Sequence, residues 1–203
     1  MRYLFATNNP GKVKEIQAVF AGAGMTMLAL ADLNLFYEPP ETGNTFEANA
    51  IQKATMTRDF LRQNGITDLT VLADDSGLCI DALGGEPGVD SANYMGRQTP
   101  YETRNAHLIN QMQNAVNRAA QFVCVIACAY PNGDVITTKG VMEGEIAHEP
   151  GGTGGFGFDP IFYLPAYGKT SAALSMEEKN AISHRGKALA QMIRRLTHEN
   201  TAD

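Results

Sequence analysis

Two adjacent carboxylates, Asp74 and Asp75, follow a short apolar segment typical of a β-strand and precede Ser76 and Gly77. Because neighbouring strand residues point to opposite sides, we do not expect both carboxylates to be buried together. One of them can face a cleft and there hold a divalent cation or accept a proton from water. An acidic surface turn accounts for the same residues, since aspartates in turns make local hydrogen bonds. The segment alone leaves both interpretations open.

A second polar segment lies between the first predicted strand and the first predicted helix and reads Thr7-Asn8-Asn9-Pro10-Gly11-Lys12. The start of a helix presents unpaired amides and the positive end of the helix dipole to an anion. Lys12 adds a full positive charge. The spacing differs from that of a P-loop, so the hypothesis is a phosphate site of another kind. An ordinary capped turn is the alternative.

The glycine-rich segment 151–160 contains a literal G-x-G-x-x-G. A dinucleotide-binding fingerprint must open a helix after a strand, whereas the residues after this segment predict a strand, so we exclude that interpretation. The glycines instead allow the backbone to approach a flat ligand, with Phe156 or Phe158 stacking on it. A tight turn with core aromatics is the alternative.

Two smaller features complete the candidates. Glu41 lies between a pair of prolines and a glycine, although local evidence favours a solvated loop acid. Lys179 precedes the pair His184-Arg185, and adjacent donors of this kind suit a keto oxygen or a phosphate. A solvated helix terminus is the alternative for this pair.

The elements that must position these residues follow from hydrophobic periodicity and turn residues. Strands are predicted at 2–6, 25–31, 69–73, 78–80, 121–130, 135–141 and 161–163. Helices are predicted at 12–23, at 44–63 with a capping box of Asn44 and Glu47, from Thr99, and from Ser175 to the C-terminal region. The helix from Thr99 is expected to bury Leu108, Ile109, Met112 and Val116. This order predicts an α/β protein with a mixed sheet, as a single domain over 1–203 with two lobes around a cleft.

Composition limits the class of protein. The chain has 203 residues, 44% of them hydrophobic and 19% charged, which is enough for a substantial core. A net charge of −6 argues against a general nucleic-acid binder. The longest apolar run, 122–130, is far shorter than the roughly 20 residues of a membrane span, and the N-terminus lacks a signal-peptide pattern. We therefore expect a cytoplasmic protein with reduced thiols, in which Cys124 and Cys128 fill the core.

Together these segments resemble the inosine triphosphate pyrophosphatase family, which hydrolyses non-standard purine nucleoside triphosphates. The matching motifs occur in the family's order over nearly the whole chain. They are Thr7-x-Asn9-x-x-Lys12, then Glu41-Thr42-Gly43 with Thr45-Phe46 and Asn49-Ala50, then Ala73-Asp74-Asp75-Ser76-Gly77-Leu78, then Gly154 to Phe162, and finally Glu178-Lys179 with Ser183-His184-Arg185.

The resemblance implies a long twisted mixed sheet flanked by helices, a homodimer, and Mg²⁺-dependent cleavage of ITP, dITP or XTP to the monophosphate and pyrophosphate. It makes Asp75 the general base and a metal ligand, with Glu41 as a second acid at the metal. The implied phosphate-binding residues are Thr7, Asn8, Asn9, Pro10, Gly11 and Lys12. The other implied substrate contacts are Ser76, Phe156, Gly157, Phe158, Asp159, Lys179, His184 and Arg185.

The segment 87–94 departs from the family's pattern at Asp90 and Asn93, which leaves dimer geometry and fine substrate preference open. Two alternative functions also stay open. One is a pyrophosphatase for other modified nucleotides, such as methylated pyrimidine triphosphates. The other is a nucleotide sensor that binds without turnover, although a sensor gives no reason for carboxylates at both Glu41 and Asp75.

Overall fold

The computed structural model describes residues 2–199, which contain a seven-stranded sheet and five α-helices. The strands are β1 (Arg2–Phe5), β2 (Met27–Ala29), β3 (Leu69–Ile80), β4 (Ala119–Ala129), β5 (Val135–Ile146), β6 (Phe162–Leu164) and β7 (Lys169–Thr170). The helices are α1 (Pro10–Gly22), α2 (Phe46–Gln63), α3 (Tyr101–Gln111), α4 (Met176–Ile182) and α5 (His184–Glu199). Among residues 2–199, none of these helices combines the length and apolarity needed to cross a membrane.

The sheet is mixed, with strand order β2-β1-β3-β4-β5-β6-β7. Strand β1 runs parallel to both β2 and β3, whereas β6 runs antiparallel to β5 and β7. The predicted α/β class with a mixed sheet is therefore confirmed. Five residues, 130–134, connect β4 to β5, as expected from the strands predicted at 121–130 and 135–141.

The chain divides into two compact units. Within the described residues, the first unit comprises 2–75, 124–140 and 185–199, and the second comprises 76–123 and 141–184. Each unit has its own buried apolar clusters. In the first unit α1 and α5 pack against strand residues that include Cys124 and Cys128, which confirms that these two thiols fill the core. The second unit buries one cluster of residues from α3, β3, β5 and β6.

Strand β3 differs from the prediction in a way that matters for chemistry. We expected the strand to end at Ala73 and resume at Leu78, but it continues without a break from Leu69 to Ile80. The expectation that the two carboxylates are not buried together is also wrong, because Asp74 and Asp75 lie inside the strand at 2% and 5% exposure. The strand can hold two buried carboxylates because each has cationic side chains as partners.

Helix starts depart from the prediction at two places. Thr45, not Asn44, caps α2 by accepting a hydrogen bond from a backbone amide, and Glu47 accepts instead from the Thr137 hydroxyl at 2.7 Å. The predicted capping box of α2 is therefore wrong, because the Glu47 carboxylate bonds to Thr137, which is 90 residues away in the sequence. Thr99 likewise does not cap α3, since its hydroxyl donates to the carbonyl of Met95.

The buried faces of the helices mostly follow the predicted periodicity. Leu108 and Met112 are fully buried, whereas Val116 is fully exposed because α3 ends at Gln111, before it. The predicted helix start at Ser175 is confirmed, since Ser175 caps α4 and forms a capping box with Glu178. Strand β2 is shorter than predicted because a 3-10 turn begins at Leu30.

Candidate active site

The loop between β1 and α1 is organised by Asn9. Its side-chain oxygen accepts hydrogen bonds from the amides of Gly11 at 2.9 Å and Lys12 at 3.2 Å, so it is the N-cap of α1. Thr7 accepts from the Asn9 amide at 3.2 Å, and Asn8 donates to the carbonyl of Tyr37 at 3.0 Å. The cap places Lys12 in the first turn of a 13-residue helix, at the positive end of the helix dipole.

Asp74 lies at the centre of a buried ionic network in the first unit. Its carboxylate accepts from the Lys12 ammonium at 2.9 Å and contacts the Arg185 guanidinium at 3.4 Å. Arg185 also donates to Glu15 at 2.5 Å. Burial alone would raise the pKa of Asp74, but Lys12 and Arg185 hold that pKa well below its usual range. Asp74 is therefore a permanent anion that positions two cations.

Asp75 faces a separate set of partners, as expected for the next residue of a strand. Its two oxygens accept from the Lys53 ammonium at 2.9 Å and from the Asn49 amide at 3.1 Å. Lys53 also donates to Glu41 at 2.6 Å, so one ammonium joins the two acids that the sequence proposed as metal ligands. The structure thus places Glu41 and Asp75 on either side of the same ammonium group, that of Lys53.

The electrostatics of Asp75 suit proton transfer. Burial raises the pKa of its carboxyl group, and the neighbouring Glu41 raises it further, while Lys53 and Asn49 counteract part of the effect. For Lys53, burial would lower the pKa, but the surrounding carboxylates raise it above the ordinary lysine value. Lys53 is therefore charged, and Asp75 is a stronger base than an exposed aspartate.

Sequence reasoning gave no role to Asn49, Lys53 or Glu15. A signal for the first two was available, because residues four apart on a helix lie on the same face. Both project from α2, in which Asn49 and Lys53 are buried at 3% and 8% exposure. A buried lysine beside the acids Glu41 and Asp75 indicates an ionic site rather than a solvated helix face. No comparable signal marks Glu15, whose partner is 170 residues away.

The glycine-rich loop and Lys179 meet in the second unit. Asp159 is buried and accepts from the Lys179 ammonium at 2.7 Å, the Ser171 hydroxyl at 2.9 Å and the Phe156 amide at 2.8 Å. The Lys179 ammonium also lies 5.0 Å from the centre of the half-buried Phe156 ring. Asp159 thus holds Phe156 and Lys179 together.

Four other predicted residues of the second unit have distinct environments. Phe158 is buried and meets Tyr101 edge-on at 5.3 Å, so its ring belongs to the core. His184 begins α5 and stacks on Phe122 at 4.8 Å. Gly157 has φ +67°, a conformation that favours glycine, and its carbonyl accepts from Asn105 at 3.2 Å. Ser76 is half-buried in β3.

The donor set around Lys53 was tested for a magnesium ion. Within residues 2–199, no three histidine, cysteine, aspartate or glutamate side chains cluster closely enough to form an all-protein metal site. Mg²⁺ is commonly held by one or two carboxylates and completed by substrate phosphates and water. Glu41 and Asp75 fit that pattern, since both place an oxygen within 3 Å of one cationic nitrogen. These two residues could therefore hold a magnesium ion with a phosphorylated substrate.

A nucleophilic thiol is not part of this site. Cys124 is fully buried with its sulfur 4.0 Å from Asp74, and burial raises the pKa of its thiol to about 12. It is protonated at neutral pH and does not act as a nucleophile.

Comparison with known proteins identifies the family. The model of the Ham1 family matches residues 3–195. The chain belongs to the Ham1 family. It is 47% identical to a dITP/XTP pyrophosphatase of Thermus thermophilus, over 95% of this chain and 90% of that protein. It is 43% identical to a dITP/XTP pyrophosphatase of Exiguobacterium, over 95% of both chains.

Solved structures agree with this assignment. The Ham1 protein of Staphylococcus aureus superposes with a TM-score of 0.85 at 40% identity, covering 98% of this chain and 100% of that one. A Ham1 protein of Coxiella burnetii gives a TM-score of 0.84, also at 40% identity, over 98% and 99% of the two chains. The resemblance and the fold class inferred from the sequence are therefore both confirmed.

Proposed function

We propose that this chain hydrolyses the non-standard purine nucleoside triphosphates ITP, dITP and XTP to the monophosphate and pyrophosphate. The observation that carries the proposal is the buried carboxylate of Asp75, which shares the Lys53 ammonium with Glu41. Its family relatives named dITP/XTP pyrophosphatase support the choice of substrate.

Asp75 is the general base of the proposed reaction. It accepts a proton from the attacking water, and burial raises its pKa above the ordinary aspartate value, which makes it a stronger base. Asn49 and Lys53 keep its two oxygens in place during the reaction. A magnesium ion held by Asp75 and Glu41 would neutralise charge on the triphosphate and assist the departure of pyrophosphate.

The loop before α1 binds the phosphates in this proposal. Lys12 contributes its charge, and α1 contributes the positive end of its dipole. Asp74 supports the role by holding the Lys12 ammonium at 2.9 Å, so that this side chain is oriented before substrate arrives. The proposed phosphate-binding residues are Thr7, Asn8, Asn9, Pro10, Gly11 and Lys12.

The glycine-rich loop borders the base in the proposal, with Phe156 as its stacking face. A 6-keto purine presents a hydrogen-bond acceptor where adenine presents a donor. Hydrogen-bond donors in the pocket can pair with the keto oxygen of a 6-keto purine but not with the amino group of adenine. Each buried group left unpaired costs about 1–3 kcal/mol. The remaining proposed contacts are Ser76, Gly157, Phe158, Asp159, Lys179, His184 and Arg185.

Arg185 has a second proposed role, support of the phosphate-binding residues, because its guanidinium holds Asp74 and Glu15, and we expect this role to outweigh its contact with the base. We also propose that the protein is a cytoplasmic homodimer that removes non-standard nucleotides from the nucleotide pool. The family resemblance supports this last proposal.

Pyrophosphate release tests the function directly. The purified chain is assayed with ITP, XTP, dITP, GTP and ATP, each with and without Mg²⁺, and with a methylated pyrimidine triphosphate. We expect Mg²⁺-dependent release from the first three nucleotides and little from GTP or ATP. Preference for the pyrimidine would favour the alternative substrate class, and nucleotide binding without release would favour a sensor.

A further inference from the structure

Three consecutive loop residues are each bound by one residue of α2. Glu41 accepts from Lys53 at 2.6 Å, and the Gly43 amide donates to Asn49 at 2.7 Å. Between them, the Thr42 amide donates to the Gln52 side-chain oxygen at 3.1 Å, and the Gln52 amide donates to the Thr42 hydroxyl at 3.0 Å. The loop therefore follows the helix residue by residue.

The spacing on α2 explains this match. Gln52 and Lys53 lie three and four residues after Asn49, so each is a neighbour of Asn49 on the helix surface. The helix is 18 residues long and has a capped start, so it offers a rigid surface. The fit is close at Gly43, where a Cβ atom would lie 2.7 Å from the Asn49 oxygen and 2.8 Å from the Ala48 side chain.

The same helix face also fixes Asp75, because Asn49 and Lys53 bind its two oxygens. Helix α2 therefore sets the position of Glu41 relative to Asp75. The Glu41 side chain is 32% exposed, and a single ion pair at such a site constrains it weakly. The two hydrogen bonds between Gln52 and Thr42 supply the constraint that the ion pair lacks.

We propose that Gln52 is a positioning residue that holds Glu41 in register with Asp75 for the metal-dependent step. The inference rests on the proposed function for its catalytic consequence, but the contact itself is a property of the loop. Gln52 bonds to Thr42, the residue after Glu41, and it acts on Glu41 through Thr42.

The test compares Gln52→Met, Gln52→Glu and the control Gln63→Met. Methionine keeps the length of the side chain and removes both hydrogen bonds, whereas glutamate keeps an oxygen that accepts from the Thr42 amide. Gln63 is exposed at the end of the same helix. The first readout is hydrogen exchange of the Thr42 amide by NMR. The second is kcat/KM for ITP across a Mg²⁺ titration, with Tm recorded for each variant.

We expect Gln52→Met to exchange the Thr42 amide several-fold faster and to lower kcat/KM at limiting Mg²⁺ by roughly 10-fold, because a small displacement of a reacting group is costly. Gln52→Glu should retain slow exchange at Thr42, and Gln63→Met should match the wild type in both readouts. Unchanged exchange in Gln52→Met would overturn the contact. Faster exchange with unchanged Mg²⁺ dependence would overturn the positioning role. A wild type that is inactive on ITP would instead refute the proposed function, while the exchange result still tests the contact.

Discussion

Replacing Lys53 with methionine removes the one cation that joins Glu41 and Asp75. Methionine keeps much of the side-chain length and leaves Asp75 buried as an anion without its nearest positive partner. The attraction between opposite charges at about 4 Å is roughly 4 kcal/mol at an effective dielectric constant near 20. Part of this is offset because methionine does not bury an ammonium group. We expect a net loss of about 2–4 kcal/mol at neutral pH, similar to other broken buried pairs.

The loss should depend on pH in a defined direction. Burial raises the pKa of Asp75, and Lys53 counteracts that rise, so the variant should have a still higher pKa at Asp75. A carboxyl group whose pKa is higher in the folded than in the unfolded state favours folding at low pH. That contribution is lost as the pH rises from about 4 through the folded-state pKa. The penalty of Lys53→Met should therefore be larger at pH 8 than at pH 4.5.

Urea unfolding of wild type and variant at these two pH values measures the penalty. The exposed lysine Lys14 of α1 gives a matched control, since Lys14→Met makes the same substitution on a helix at an exposed position. A penalty that is equal at both pH values, or equal to that of the control, would show that Lys53 does not stabilise a buried Asp75 carboxylate. Added Mg²⁺ should recover part of the lost stability, because it can take the place of the ammonium between the two acids.

Two further substitutions test the remaining roles. Asp75→Asn should lower kcat by about 10²- to 10⁴-fold while ITP binding, measured by calorimetry, survives, because the amide keeps the shape and loses the basicity; near-normal turnover at saturating Mg²⁺ would remove Asp75 from the mechanism. Lys12→Ala should weaken binding of ITP much more than binding of inosine, because Lys12 lies at the start of α1 where anions are favoured; equal losses for both ligands would show that this loop does not hold phosphate.

The parts of the fold that follow local rules were predictable. Hydrophobic periodicity and capping residues located four helical segments, the last of which is divided into α4 and α5, and turn residues located the connection between β4 and β5. Predictions failed where a distant residue decided the outcome. The expected break in β3 is absent because Lys12 and Lys53 neutralise the two aspartates. The expected capping box of α2 is absent because Glu47 bonds to Thr137 instead.

The same division applies to the candidate site. The opposite directions of Asp74 and Asp75 follow from strand geometry and are confirmed by their separate partners. The role of Gln52 could not be predicted in this way, because it depends on which loop residue reaches α2. A side chain such as Gln52 carries no charge and no motif, so only its contacts with Thr42 reveal it.

Substitution of Arg185 distinguishes between two roles. In the first the arginine contacts the base of the substrate, and in the second it positions the residues that bind the phosphates. The sequence resemblance predicts the first role, and arginine can only donate hydrogen bonds, which suits a keto oxygen. In the structure its guanidinium is 3% exposed and holds Asp74, which in turn holds Lys12. Removing it leaves two buried carboxylates, Asp74 and Glu15, without this partner.

We therefore expect Arg185→Ala to reduce stability and to lower kcat/KM for ITP and ATP together, because phosphates are common to both substrates. The measurement is kcat/KM for both nucleotides in wild type and variant, under conditions where Tm confirms that each is folded. A loss confined to ITP would instead assign Arg185 to the base. In that case the ITP-to-ATP ratio of kcat/KM would fall by roughly 10- to 150-fold. This factor corresponds to one charge-assisted hydrogen bond of about 1.5–3 kcal/mol. The ratio thus decides between the two roles even if the variant is much less active.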